Sequence, residues 1–331
     1  MTLPITRQHL PVIAALVALL LLYTGASIAF ADRGYLTAYS FFNLFHGSAI
    51  LGVAAVGMAF VILSGGIDLS VGGVVALVSI STAVLIEHGH IHPLLAWSIM
   101  LAAGALIGLT HGALITFFDL PPFLVTLAGM FFCRGLALRI SENSIEIGHP
   151  LVRSAANAAI RIGSGMPPGR ITIVTDIFIT VLVLGTLLSL FTRFGRNVYA
   201  IGGNETSARL MGLPVSAAKV GIYVLSGFCA ALAGVCHTIA NTSGDALNAG
   251  GNGFELDAIA AVVIGGTLLS GGVGYVASTI LGVLILGIIQ TIPNFRAEFS
   301  AGWTKVVIGA LLLVFVVLQK IIEAVTRRRK A

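Results

Sequence analysis

Apolar runs long enough to cross a bilayer recur from one end of this chain to the other, and that limits what it can fold into. A membrane-spanning helix needs about 20 mostly apolar residues. Ten segments approach that length, near 10–30, 43–63, 70–86, 93–118, 122–138, 171–191, 217–240, 257–270, 274–292 and 303–321. Lipid offers no partner to a free backbone N–H or C=O, so these segments must be helical. Composition agrees. Of the 331 residues, 57% are hydrophobic and 9% charged, against roughly 25% charged in a soluble domain. The expected fold is an all-α integral membrane protein with about ten transmembrane helices, some short or broken, in one domain over residues 1–331.

The first segment starts basic (Arg7) and ends small-x-small (Ala29, Ala31), as a secretory leader does. Its apolar body exceeds a leader's roughly 7–15 residues, so it is read as a first span that is kept. An even number of spans puts both termini on one side. Arg7, Arg327, Arg328, Arg329 and Lys330 assign that side to the cytoplasm. A connection over 192–217, with Arg193, Arg196 and Arg209, then falls inside. An outer loop over 134–170 also carries five arginines (134, 139, 153, 161 and 170), against the charge bias, which long loops obey poorly. Its "GSGMPPGR" stretch reads as irregular and as a docking surface for an outside partner. The net charge of +5 sits at segment ends and in loops, so nucleic acid is not an expected partner.

"VILSGGIDLSVGGVVAL", residues 61–77, places Asp68 among apolar residues and glycines. A carboxylate at a span centre costs about 2.5–3.5 kcal/mol on insertion scales, so such a group usually faces a bundle interior or a wet path. Two compatible readings stand. Asp68, with Ser64 and Ser70 beside it, can cap the next helix; or it can mark a broken helix along a substrate path. "LSGG" at 63–66 returns at 269–272 within "VVIGGTLLSGGVGYVAS". Chance can produce this in a glycine-rich chain, yet paired glycine breaks in two halves also point to a transport pathway. The pathway candidates are Ser64, Gly65, Gly66, Asp68, Ser70, Gly265, Gly266 and Thr267.

Catalytic motifs are missing. There is no Gly-Lys dipeptide, hence no P-loop, and no HExxH. The "EHGHIH" run at 87–92 lacks helical metal-ligand spacing, so no metal, cofactor or catalytic residue is expected. His46, His111 and His237 read as helix-packing hydrogen-bond partners, and Cys133, Cys229 and Cys236 as packing residues. Gly104, Gly108 and Gly112 share one helix face, suited to internal helix packing or to a subunit interface.

The polar stretch "RFGRNVYAIGGNETSARLMGLPVSAAKV", residues 193–220, holds its own helix signal. Asn204 can cap it, "ETSARLM" supplies helix formers, and Gly212 with Pro214 ends it. An ordered helix between two spans needs a partner. A chain without an ATPase site can receive energy through one.

Three separated stretches, "GMAFVILSGGIDLSVGGVVAL", "YAIGGNETSARLMGLPV" and "ELDAIAAVVIGGTLLSGGVG", resemble the signature regions of sugar ABC-importer permeases, the ribose/xylose/galactoside group. "TLAGMFFCRGLALRISENSIEIGHP" and "WTKVVIGALLLVFVVLQ" resemble most the galactofuranose-importing branch of that group. The resemblance implies a multi-pass protein of the bacterial inner membrane, paired with itself or a sister permease. It also implies a cytoplasmic ATPase, a periplasmic sugar-binding protein and a monosaccharide substrate. By the same resemblance, residues 204–213 form a cytoplasmic coupling helix that docks into the ATPase. Asn204, Glu205, Ala208, Arg209 and Gly212 are its candidate residues; the Glu-Ala-Ala core of other ABC permeases is not written in full. Two rivals remain. A secondary transporter or channel calls for several ion-coupling carboxylates within spans, where only Asp68, Asp176 and Asp257 are candidates. A membrane enzyme calls for a clustered nucleophile-base or metal motif, and none is visible.

Overall fold

A computed structural model describes residues 10–162, 169–251, 253–295 and 301–328. Arg7, the 163–168 part of "GSGMPPGR" and the charges at 329–330 lie outside the described residues. Each of the ten apolar segments contains one helix: α1 (Leu10–Ala29), α2 (Ala38–Leu63), α3 (Val71–Glu87), α4 (Pro93–Phe117), α5 (Pro122–Ile140), α7 (Ile173–Phe191), α10 (Val215–Asn241), α11 (Phe254–Ile264), α12 (Thr279–Phe295) and α13 (Ala301–Arg328). Three shorter helices join them: α6 (Pro150–Asn157), α8 (Arg193–Gly203) and α9 (Glu205–Leu210). The fold is all-α, and six of the described helices are long and apolar enough to cross a membrane.

Helix starts follow local chemistry. Proline occupies the first turn of α4 and α5, where its missing N–H costs nothing. The Thr37 hydroxyl accepts from Ser40 N at the start of α2, and that of Thr172 from Thr175 N at the start of α7. His92 accepts the N–H of Leu94 and Glu87 that of Gly148, so part of the histidine-rich run shapes a turn.

Two boundaries differ from the sequence reading. The segment at 257–270 forms only the 11-residue α11, about 16 Å of helix, too short for a hydrocarbon core of about 30 Å. Helix α5 runs to Ile140, so Arg134 and Arg139 belong to a helix rather than to the outer loop. That loop is also less irregular than expected. It holds α6 and an antiparallel ladder of β2 (Ala159–Ile162) with β3 (Gly169–Thr172), Ile160 opposite Ile171. A second short ladder pairs β1 (Ile145–Glu146) with β4 (Ser243–Gly244), tying the loop to the chain after α10.

Helix α2 is central: 83% of its apolar window is buried, against 17% for α1. It packs on α7, α10, α11 and α12, while α10 also lies along α3 and α4. Helix association in lipid depends on close packing more than on apolar burial, and α4 supplies it. β-Carbons at Gly104, Gly108 and Gly112 would collide with Ala231, Tyr223 and Val220 of α10. This face therefore packs inside the chain and is not a subunit interface. The three span histidines bond across elements: His46 to Thr172 (2.8 Å), His111 to Ser70 (3.4 Å) and His237 to Ser79 (3.2 Å). The cysteines are free and buried. Large apolar residues such as Leu21, Phe131, Leu184 and Leu313 stay exposed, as a lipid-facing surface requires.

Candidate functional site: two helix breaks and a coupling segment

The first break covers residues 64–70. Helix α2 ends as Gly65 turns left-handed (φ 82°) and Gly66 N–H reaches back to Val61 O at 3.0 Å. A glycine carries that conformation without strain. Asp68 follows and is 2% exposed. Its Oδ1 accepts from Ser70 N (2.9 Å) and Ser70 Oγ (2.6 Å), and its Oδ2 from Ser226 Oγ of α10 (2.7 Å). Three donors to one buried carboxylate make charge-assisted bonds, stronger than neutral ones. Ser70 holds the N-cap position of α3, yet makes no side-chain cap bond. The acid thus fixes the turn before α3 and fastens it to α10. Thr126 Oγ1 adds a bond to Ile67 O at 3.3 Å.

The second break follows α11, from Gly265 to Thr279. Gly266 (φ 102°), Gly271 (81°) and Gly272 (75°) take left-handed backbone. Leu268 N–H bonds to Val273 O at 3.0 Å and closes a tight turn. Thr267 is fully buried. Tyr199 Oη of α8 donates to Gly274 O at 3.0 Å. Gly266 lies against Pro11 and Val12, so the start of α1 reaches this end of the bundle.

The eight pathway candidates therefore divide. Asp68 and Ser70 face α10 and α4. Gly65 faces the second break, where Ser270 O approaches it. Gly265 packs on Ser278, and Gly266 on α1. The two "LSGG" copies meet, for Gly272 N–H donates to Leu63 O at 2.8 Å.

The candidate coupling segment, residues 204–213, follows α8, whose Gly202 lies against Leu63 and Gly272. Asn204 Oδ1 accepts Ser207 N–H (2.8 Å) and caps α9. Glu205 pairs with Lys219 (3.0 Å) and Arg209 (3.2 Å). Ala208 is fully buried beside Ile201, Val215 and Ala218. Gly212 (φ 77°) ends the helix, with Leu213 N–H returning to Ala208 O at 3.1 Å. Asn204, Glu205, Ala208 and Gly212 thus hold the segment's shape, and Arg209 stays on its surface. The large apolar residues aimed outward are Leu210 and Met211, 84% and 70% exposed. Sequence reasoning passed them over. Their signal was an apolar pair inside a polar connection, just before the glycine stop.

A further brace was also missed. Arg134 of α5 pairs with Glu255 of α11 at 2.9 Å, and its guanidinium also reaches Gly250 O at 3.2 Å. Glu255 is 6% exposed and lies against Gly72 at the start of α3. Asp257, two residues on, pairs with Lys305 at 2.8 Å. Asp176 is exposed in the first turn of α7, where a carboxylate suits the helix dipole. The acids within the bundle are thus matched by serines, arginine or lysine.

A family model described as "Branched-chain amino acid transport system / permease component" matches residues 40–316, spanning both breaks and the coupling segment. The chain belongs to this permease family. It is 47% identical over 289 residues to the inner membrane ABC transporter permease protein YjfF of Escherichia coli (strain K12), covering 87% of this chain and 86% of that one. It is 40% identical over 329 residues to the fructose import permease protein FruG of Bifidobacterium longum (strain NCC 2705), covering 98% and 94%. It is 39% identical over 298 residues to the ribose import permease protein RbsC of Bacillus subtilis (strain 168), covering 88% of each. No solved structure matches. These relatives are transporter subunits, and this permease is a multi-pass membrane protein of the sugar ABC type. In it, the matched region begins inside α2, so α1 lies outside the part that the family model describes.

Proposed function

We propose that this permease forms the translocation path for a monosaccharide, driven by a separate ATPase that docks on residues 204–213. The observation that carries the coupling part is the exposed apolar pair Leu210 and Met211 at the end of a helix that Ala208 and the Glu205–Lys219 pair hold against α10. An apolar tip held out on a capped and ion-paired helix suits a groove in a partner protein. A binding protein outside delivers the sugar, and a second permease, identical or sister, completes the path. Both termini face the cytoplasm. The start of α1 lies against the second break, which also touches α8 just before the coupling segment, in keeping with that orientation. The sugar is galactofuranose, on the resemblance of residues 126–150 to that branch. Ser64, Gly65, Gly66, Asp68, Ser70, Gly265, Gly266 and Thr267 border the path as it opens. A neutral sugar needs only hydroxyls and backbone groups there. A channel or ion-coupled carrier would call for unpaired acids, whereas Asp68, Glu255 and Asp257 are each bonded.

Co-purification with the ATPase, followed by mass measurement of the intact complex, tests the docking. The wild-type permease should hold the ATPase, and Leu210→Ser with Met211→Ser should lose it while the permease stays folded. Retention of the ATPase by the double variant would remove this docking site.

A further inference from the structure

Gly202 occupies a position that neither the family match nor the coupling reading explains. It lies near the end of α8, two residues before the Asn204 cap. A β-carbon there would overlap the carbonyl oxygen of Leu63, the last residue of α2, and sit 2.5 Å from the amide nitrogen of Gly272. Those two atoms are bonded to each other: Gly272 N–H donates to Leu63 O at 2.8 Å. Gly202 therefore rests on the hydrogen bond that joins the two breaks. A β-carbon at Gly271 would in turn lie 2.7 Å from Gly65 N and 3.1 Å from Gly202 Cα. One turn earlier on α8, Tyr199 Oη grips Gly274 O at 3.0 Å. Three chain segments thus meet backbone to backbone at one point, with no side chain between them. Such a contact has no rotamer freedom with which to absorb a push, and close-packed contacts pass displacement on. The neighbouring glycine differs: a β-carbon at Gly203 would meet nothing within 4 Å.

We infer that Gly202 is a positioning residue for transport, the contact through which movement of the coupling segment reaches both helix breaks at once. The inference rests on the proposed docking of an ATPase at residues 204–213. It adds the route from that docking site to the two breaks.

The test uses the full permease with its ATPase and binding protein in lipid vesicles, comparing Gly202→Ala with Gly203→Ala. Gly202→Ala should assemble with the ATPase and keep ATP hydrolysis within about twofold, while sugar uptake falls by about tenfold or more, the scale of a typical coupling energy. Gly203→Ala should keep both within about twofold. Equal uptake by the two variants, or equal loss, overturns the inference. Hydrogen exchange on the wild-type complex decides the matter if Gly202→Ala does not fold. Nucleotide binding should then change exchange at 61–66 and 268–274 together with 199–213. A change confined to 199–213 overturns the inference. Failure of the wild-type permease to bind the ATPase would instead overturn the docking reading, and would appear before any variant is made.

Discussion

The two helix breaks do the same thing by different means. The first is held by side chains: Asp68 gathers two bonds from Ser70 and one from Ser226 of α10. The second contains no acid. It is held by its own turn, by Tyr199, and by glycines pressed against the first break. An acid clamped by three donors resists displacement, because moving it strands a buried charge. A glycine turn has little to strand and many backbone states within reach. The first break is therefore pinned by a buried acid and the second by close backbone packing. Helix α8, which leads into the coupling segment, touches the second break through Tyr199 and the junction of the two through Gly202.

The largest effect should come from the brace that spans the two halves. Glu255→Ala leaves Arg134, 26% exposed, without its carboxylate and should cost about 3 kcal/mol, the lower end for breaking a buried ion pair. Thermal unfolding in detergent measures it, and a loss no greater than that of a surface variant would show that the halves are not joined there. Asp68→Ala comes next. It leaves the Ser226 hydroxyl without its acceptor, while Ser70 Oγ keeps His111, at about 1–3 kcal/mol for the buried group left unpaired. Asp68→Asn keeps the size and sharpens the point. Normal uptake would leave the residue only its turn-holding role, whereas a folded, ATP-hydrolysing variant that does not transport would give it a part in the path.

Smaller effects belong to the second break. Tyr199→Phe removes one hydrogen bond, to Gly274 O, worth about 0.5–1.5 kcal/mol. It should lower uptake more than it lowers the melting temperature. The smallest stability change, within about 0.5 kcal/mol, is expected for Leu210→Ser, an exposed position. Its effect should show in ATPase retention alone.

The ten helices were legible in the sequence because lipid leaves an apolar chain one way to satisfy its backbone. The shortness of α11 was not. Hydropathy runs on through Gly265 and Gly266, and a window average does not register a left-handed glycine. Asp68 and its neighbour Ser70 could be read locally as a turn. Ser226, 158 residues away, could not. Arg134 and Glu255 stand 121 residues apart, so Arg134 looked like a loop charge until the fold supplied its partner. Arg134, paired with Glu255, leaves the loop's charge count, whereas Arg139 in the last turn of α5 stays at that flank. Asn204 and Gly212 marked the ends of the coupling helix, because caps are local signals. Which residues face outward depended on how α9 lies against α10, and no local pattern states that. The repeated "LSGG" gave the breaks away but not their meeting.

ATP-driven uptake of labelled sugar into vesicles tests the central claim most directly. The permease reconstituted with its ATPase and binding protein should take up sugar only when ATP is present, and not when either partner is left out. Uptake by the permease alone, without ATP, would contradict the account.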